Sequence, residues 1–315
     1  MKKLLSFLIV VVSLFTIACG GTNHKEEAQS LYQQHYLQTG SYLRGFSRLN
    51  SLFELNDDKF FSQESYNVKK DVHSKLALDY KNLEAKQVSK ENIKLKEAML
   101  KHLLLVKQAF AFVEEENYIY ITQGEDAFDR YVNETMKNNP VHFKKMKELR
   151  YEVENEYSKV LTGKPVKIMQ VNDKKVTAVT VSDVEFGLCA IETEKDIYIN
   201  DYYHRKPLGK FLIVTVGIRN NQKDAVVIDS NLFKLIDYQN REFSVSTEGQ
   251  TAVNMRDDNI KGFLTQLNPG MGTDFKFVFD VPTDSMAFDY VLSAKGGFSG
   301  KKIAIPLEVI DYNSK

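Results

Sequence analysis

The spacing of apolar residues in the first half of the chain predicts long amphipathic helices. In the segment that starts at Ser89, apolar residues recur largely on one helical stripe, and lysines occupy much of the remaining surface. We place Ser89 as the N-cap of this helix and expect the helix to continue past Ile121 towards Gly124. The residues that define the stripe are Ile93, Leu100, Leu103, Leu104, Val106, Phe110 and Val113.

Further helices are predicted near residues 26–55, 66–85, 125–138 and 141–161. The break at Pro140 is expected because the residue before a proline avoids the helical region. Only one proline and three glycines lie between residues 25 and 162, whereas five prolines and eleven glycines follow. Since proline and glycine mark turns, the first half is predicted to be an antiparallel helical bundle.

The second half has the pattern of short strands. Residues 176–181 are rich in β-branched side chains, and residues 211–218 form a candidate central strand. Phe275, Phe277 and Phe279 alternate with other residues, which predicts one inward aromatic face. Turns are expected at residues 220–221, at 268–270, where Pro269-Gly270 suits a type II turn, and at 296–297. Seven or more such strands predict a β-sandwich, with the domain boundary between residues 162 and 175.

The N-terminus has the pattern of a secretory signal. A basic start precedes an apolar run of about 14 residues, which is shorter than the roughly 20 that span a bilayer as a helix. Cys19 follows Ala18 directly and resembles the cysteine of the bacterial lipobox, although Thr16 stands where leucine is usual. We expect a signal peptide over residues 1–18, lipidation of Cys19 and a tether over residues 19–24. The alternative is an ordinary signal peptide with a coincidental cysteine.

Composition narrows the classes of partner and cofactor. Lys+Arg and Asp+Glu both number 42, so the formal charge is zero and no nucleic-acid partner is expected. The chain has two cysteines. If Cys19 carries lipid, Cys189 has no disulfide partner, and its strand-like surroundings favour a small buried residue over a reactive thiol. We predict no cofactor.

The second half also resembles a known family. The ordered motifs are Gly209-Lys210-Phe211-Leu212-Ile213-Val214, Val216-Gly217-Ile218-Arg219-Asn220-Asn221, Asp229-Ser230-Asn231-Leu232-Phe233-Lys234-Leu235-Ile236-Asp237, Gln239-Asn240-Arg241-Glu242-Phe243, Leu267-Asn268-Pro269-Gly270 and Phe277-Val278-Phe279-Asp280-Val281-Pro282. Over residues 175–311 this order resembles the uncharacterised immunoglobulin-like domain of Gram-positive lipoproteins and secreted proteins. The resemblance implies an immunoglobulin-like sandwich and supplies no catalytic residues.

Two groups of residues are candidates for binding. Tyr202, Tyr203, His204 and Arg205 precede the long strand, and tyrosine and arginine in an exposed loop are residue types that anchor protein partners. The alternative is a loop whose tyrosines pack on the edge of the sandwich. Asp257 and Asp258 fall in a predicted loop and are candidate oxygen ligands for calcium, although acidic loops are usually only solvated.

Catalytic motifs are not recognisable. The segment 297–302 lacks the spacing of a phosphate-binding loop, and the spacing of Ser299 and Lys302 would require a helix where a hairpin is predicted. His102 lies next to the apolar stripe and is interpreted as a partly buried helix residue and not as a ligand.

Taken together, the sequence predicts an α+β protein: a signal peptide (1–18), a lipidated tether (19–24), a helical bundle (25–162) and an immunoglobulin-like β-sandwich (163–315). The expected function is that of a non-catalytic lipoprotein on the extracytoplasmic face of a bacterial membrane. It would be anchored through Cys19 and bind a protein or envelope component. The alternative is an enzyme with its active site in the cleft between the two halves. A two-lobed solute carrier is disfavoured because the βαβ repeat is missing.

Overall fold

The computed structural model describes residues 23–53, 61–138, 142–171, 174–200, 202–257, 264–294 and 303–307. The predicted signal peptide and Cys19 lie outside these residues. Up to Thr162 the described chain is helical and lies within about three residues of the predicted positions. The helices are α1 (His24–Phe53), α2 (Gln63–Ala85), α3 (Ile93–Gln123), α4 (Glu125–Asn138) and α5 (His142–Thr162). As predicted, α3 runs beyond Ile121 and ends at Gly124, which has φ +84°.

The prediction that Ser89 caps this helix is wrong. A 3-10 turn, Lys90–Asn92, precedes α3, and Ser89 makes no capping bond through its side chain. Instead, the backbone N–H and the hydroxyl of Ser89 donate hydrogen bonds to the Glu27 carboxylate on α1, and Asn92 Nδ2 donates another at 2.6 Å. Burial opposes ionisation of Glu27, but these hydrogen bonds outweigh it and lower its pKa. Ser89 therefore links two helices and does not cap one.

After Thr162 the described chain forms antiparallel sheets. The strands are β1 (Lys167–Val171), β2 (Lys174–Val181), β3 (Val184–Glu194), β4 (Ile197–Asn200), β5 (Tyr203–Arg205), β6 (Lys210–Asn220), β7 (Val226–Asp229), β8 (Phe233–Asp237), β9 (Glu242–Ser244), β10 (Leu264–Leu267), β11 (Gly272–Val281), β12 (Tyr290–Ala294) and β13 (Ile303–Pro306). One sheet has five strands in the order β1-β2-β3-β6-β11, and a second has four in the order β13-β12-β8-β9. Strand β7 pairs with β10, and β4 pairs with β5. This arrangement confirms the predicted helical region followed by a β-sandwich.

The aromatic face predicted for β11 forms the centre of the sandwich. Phe275, Phe277 and Phe279 are at most 1% exposed. Phe277 stacks on Phe233 of the facing sheet, with ring centroids 4.1 Å apart. Gly270 has φ +74°, and Met271 N–H donates to the Asn268 carbonyl at 3.1 Å, as the predicted type II turn requires.

The outer face of the five-stranded sheet is covered in part by a helix. Helix α6 (Thr247–Arg256) places Ala252 and Val253 against Phe211 and Ile213 of β6. Since β6 packs against α6 on one face and the second sheet on the other, both faces of this strand are buried. Cys189 is also buried, as predicted, and its sulfur accepts a hydrogen bond from the Gly217 N–H at 3.1 Å.

Helices and sandwich share one continuous apolar core, which contains residues of α1, α3, α5 and both large sheets. At Gly40 helix α1 lies tightly against the backbone of the short turn Ala287–Asp289. The two halves are therefore held together by packing. Within the described residues, no helix is both long and apolar enough to cross a membrane.

Candidate functional site

The four predicted partner-binding residues lie together on a β-hairpin that projects from one end of the sandwich. The hairpin consists of β4 (Ile197–Asn200) and β5 (Tyr203–Arg205). Tyr202 is 97% exposed at its tip. The Arg205 guanidinium lies 4.5 Å from the centre of the Tyr203 ring, and His204 stacks on Tyr198 at 5.1 Å. These contacts hold the side chains on the surface, and Tyr202 does not pack on the sandwich edge.

The base of this hairpin is fixed by buried contacts. Ile197 is fully buried against α6 and β6, and its neighbour Tyr198 points to solvent, as strand alternation requires. Where the chain leaves the hairpin, the Asp280 carboxylate accepts hydrogen bonds from the backbone N–H groups of Leu208 and Gly209. A side chain at Gly209 would overlap with the Val281 carbonyl. The hairpin is thus a rigid support with an exposed tip.

The exposed residues around the hairpin share an apolar or aromatic character. Single exposed apolar side chains are common on protein surfaces, whereas a group of them in one region is typical of a surface that binds a partner. The group, which we call the hairpin patch, comprises Tyr198 (56% exposed), Tyr202, Tyr203 (39%), Leu208 (103%) and Met255 of α6 (58%).

The hairpin patch lies far from the turn at Ser182 and Asp183. Strand β3 runs from Val184, beside this turn, to Glu194, just before the hairpin. Ten residue steps at about 3.3 Å each make this roughly 33 Å. The turn and the hairpin patch therefore lie at opposite ends of β3, and Asn23 lines the groove that contains the turn.

The candidate calcium ligands are only partly described. The Asp257 carboxylate accepts hydrogen bonds from Lys276 Nζ at 2.7 Å and Arg256 Nε at 3.1 Å. Burial opposes ionisation of this group, but the two cations outweigh it and lower the pKa of Asp257. Asp258 lies outside the described residues. No group of three metal-ligating side chains occurs in the described part of the chain, and the calcium site stays a prediction.

A groove of about 1150 Å³ with many polar side chains lies between α1 and the end of the sandwich that contains the turn at Ser182 and Asp183. One wall is the solvent-facing side of α1, with Gln29, Gln33 and Gln34. The other wall includes the turn at Ser182 and the turn between β8 and β9 that contains Asn240. The groove lies between the helical half and the sandwich, where the alternative prediction, an enzyme with an interdomain active site, requires a cleft.

The sandwich wall of the groove is conformationally fixed. Among the described residues, three that are not glycine have positive φ: Ser182 (50°), Asp183 (60°) and Asn240 (59°). All three line the groove. The buried Asp237 carboxylate holds the second turn by accepting hydrogen bonds from the backbone N–H groups of Gln239 and Arg241, both at 2.9 Å. Ser182 and Asp183 form the two-residue loop of the β2–β3 hairpin, which requires positive φ at both positions, and asparagine tolerates this conformation at Asn240.

A histidine pair buried in the bundle has no counterpart among the sequence predictions. His35 Nε2 lies 2.8 Å from His102 Nδ1, and both rings are buried. Arg150 of α5 lies nearby, bonded through Nε to Glu154 at 3.2 Å. Burial lowers the pKa of His102 to about 4, with a further contribution from Arg150. Burial also lowers the pKa of His35 well below its usual value, supported by His102 and Arg150. His102 is thus more deeply buried than the partly buried helix residue that its position predicts, and no local pattern indicates its partner on α1, which is 67 residues away.

A buried lysine lies between α2 and α3. Lys69 is fully buried, and its Nζ donates a hydrogen bond to Asn117 Oδ1 at 2.9 Å. Burial lowers the pKa of Lys69 to about 7, with Glu116 opposing the shift. Burial raises the pKa of Glu116 to about 7, with Lys69 opposing the shift. Neither residue lines the groove.

The architecture defines the class: a helical region joined to an antiparallel β-sandwich. The chain belongs to the family of the domain of unknown function DUF4352, which matches residues 131–303. This match confirms the family resemblance of the second half and extends it into α4. No curated protein matches the chain in sequence.

Three solved structures are similar to part of this chain. The yjhA protein of Bacillus subtilis is 12% identical, with 42% of this chain and 96% of that chain covered at a TM-score of 0.33. A candidate lipoprotein of the same species, ycdA, is 16% identical, with 44% of this chain and 39% of that chain covered at a TM-score of 0.30. An uncharacterised β-sandwich protein of Clostridium difficile is 18% identical, with 45% and 99% covered at a TM-score of 0.26.

Proposed function

We propose that the protein is a non-catalytic lipoprotein, anchored through Cys19 on the extracytoplasmic face of the membrane, that binds an envelope protein through the hairpin patch. The observation that carries this proposal is the exposure of Tyr198 and Tyr202 on a hairpin whose base is held by buried contacts, and of Leu208 where the chain leaves it. A preformed surface of this kind binds without the entropic cost of ordering a loop.

The position of the patch supports a role at a distance from the membrane. Four residue steps from Cys19 to Asn23 span at most about 14 Å. A chain anchored at Cys19 therefore holds the N-terminal end of the sandwich close to the bilayer. The hairpin patch, roughly 33 Å further along β3, then faces away from it. Arg205 beside Tyr203 supplies the combination of aromatic and guanidinium groups that dominates protein interfaces.

Palmitate labelling tests the anchor. Cells that express the full-length chain should incorporate labelled palmitate into it, because acyl chains on Cys19 supply the membrane affinity. The Cys19→Ser variant should incorporate none. Cys189→Ser is the matched control and should keep the label, since Cys189 is buried in β3. Label that persists in Cys19→Ser, or is missing from the unaltered chain, would favour an ordinary signal peptide.

Site-specific photocrosslinking on intact cells tests the hairpin. A photoreactive phenylalanine analogue at Tyr202 should give a discrete crosslinked species, because this side chain is 97% exposed on the patch. The same analogue at Tyr118, a 46% exposed position on α3, is the control and should give none. Adding Arg205→Glu should reduce the Tyr202 crosslink at least tenfold, as expected when a central interface anchor is lost. Equal crosslinking from both positions, or no effect of Arg205→Glu, would count against the proposal.

The alternative function, an enzyme with its site between the two halves, has one observation in its favour. A large polar groove lies where this function requires one. The buried histidines His35 and His102 belong to the helical core and not to the residues that line the groove. We therefore interpret the groove as a binding site.

A further inference from the structure

We propose that the groove between α1 and the sandwich binds a neutral oligosaccharide. This second site is separate from the hairpin patch and does not depend on it. Its lining is dominated by side chains that are polar but uncharged. The residues with amide side chains that line it are Asn23, Gln29, Gln33, Gln34, Gln38, Asn221 and Asn240.

The amide side chains match the chemistry of a sugar. An amide side chain carries an acceptor oxygen and two donor N–H groups, and each sugar hydroxyl is both a donor and an acceptor. Part of this capacity is used within the protein: Gln34 Oε1 accepts a hydrogen bond from Lys86 Nζ at 3.4 Å, and the Gln29 side chain bonds to Tyr157. Gln29 and Gln33 are four residues apart on α1, as are Gln34 and Gln38, so both pairs recur one helical turn apart. A row of amides at this spacing can contact successive hydroxyl groups along an extended chain.

Charge in the groove is close to balanced. The charged residues at its edge are Lys25, Lys164 and Lys167 against Glu26 and Asp183. Lys167 is further neutralised by Glu185, whose carboxylate lies 2.5 Å from its Nζ. An anionic ligand would be attracted by an excess of positive charge in the groove, whereas a neutral ligand does not require such an excess.

Size and rigidity favour an oligomer. A volume of about 1150 Å³ exceeds the roughly 300–1,000 Å³ of pockets for single small molecules. The positive-φ turns at Ser182–Asp183 and Asn240 fix one wall, and the shared apolar core holds α1 in place as the other. Tyr238, 47% exposed, adds a ring on which a sugar face can pack. A preformed groove with one exposed ring suits a flexible polyhydroxylated chain because only the ligand must be ordered.

Isothermal titration calorimetry on the full-length chain tests the assignment. The probes are chitohexaose and maltohexaose, two neutral oligosaccharides with and without acetamido groups, and tetra-alanine as a short peptide. At least one oligosaccharide should bind saturably below millimolar concentration, with a one-to-one stoichiometry. Tetra-alanine should give no saturable heat.

Matched variants locate the binding. Gln33→Ala combined with Asn240→Gly should weaken oligosaccharide binding at least tenfold, because glycine keeps the φ of 59° that Asn240 adopts while its amide is removed. Gln108→Ala, an exposed amide on α3, should leave binding unchanged. An unchanged midpoint of unfolding shows that the double variant is folded. If the midpoint changes, each substitution is tested separately. Absence of saturable oligosaccharide binding, binding unaffected by both groove substitutions, or binding of tetra-alanine alone would overturn the assignment.

Discussion

Replacing Gly40 by alanine is expected to destabilise the protein by about 2 kcal/mol. Alanine is the better helix former by about 1 kcal/mol, so helix propensity alone predicts stabilisation. However, a methyl group at this position would overlap with the carbonyl oxygen of Phe288, which is backbone and cannot rotate away. Forcing a buried contact of this kind apart costs about 3 kcal/mol, and the difference leaves a net loss.

Urea denaturation of Gly40→Ala distinguishes helix propensity from steric overlap, because the two change the free energy of unfolding in opposite directions. Ser30→Ala, at an exposed position on the same helix, is the control and should change the free energy of unfolding by less than about 0.5 kcal/mol. A Gly40→Ala protein that is more stable than the unaltered chain would mean that α1 can move from the sandwich at little cost. In that event the groove wall on α1 would not be held by the packing described here.

The same contact explains a limit of the sequence. Gly40 lies within a long helical pattern, and nothing local distinguishes it from a tolerated helix glycine. Its role depends on the turn at Ala287–Asp289, almost 250 residues later. Helices and strands were predictable because their apolar residues repeat with periods set by the backbone. The packing of one half on the other follows no such period.

The candidate sites show the same division. Tyr202, Tyr203, His204 and Arg205 could be selected because they are adjacent in sequence and precede a clear strand. The groove brings together α1, the turn at Ser182–Asp183 and the turn at Asn240, which are far apart in the chain. The link that Ser89 makes between two helices could not be predicted either, because its partner Glu27 is 62 residues away. Residues that act together only through tertiary packing leave no local motif.

Acidification from pH 7 to pH 4 should lower the free energy of unfolding by about 3 kcal/mol through the protonation of His102 alone. The folded-state pKa of His102, about 4, lies below its ordinary value of 6.5, so the unfolded chain binds more protons between these values. Stability is therefore present at neutral pH and falls as the pH drops through this window, by about 1.4 kcal/mol for each pH unit. His35, whose pKa is also lowered, adds a loss of the same sign.

The double variant His35→Leu/His102→Leu isolates this contribution. Urea denaturation at pH 7 and pH 4 should show a clearly smaller loss of stability on acidification than in the unaltered chain, because both titrating rings are gone. Exposed His204, replaced by glutamine, is the control and should retain the full loss. Both members of the pair must change together, since removing one leaves the other with a buried polar atom unsatisfied. An equal loss in the double variant and the unaltered chain would assign the acid sensitivity to carboxylates elsewhere. The pair would then take up a proton at little cost despite its burial beside Arg150. The 2.8 Å contact has room for one proton between the facing nitrogens, so a first added proton sits on an outward nitrogen and a second would force the rings apart.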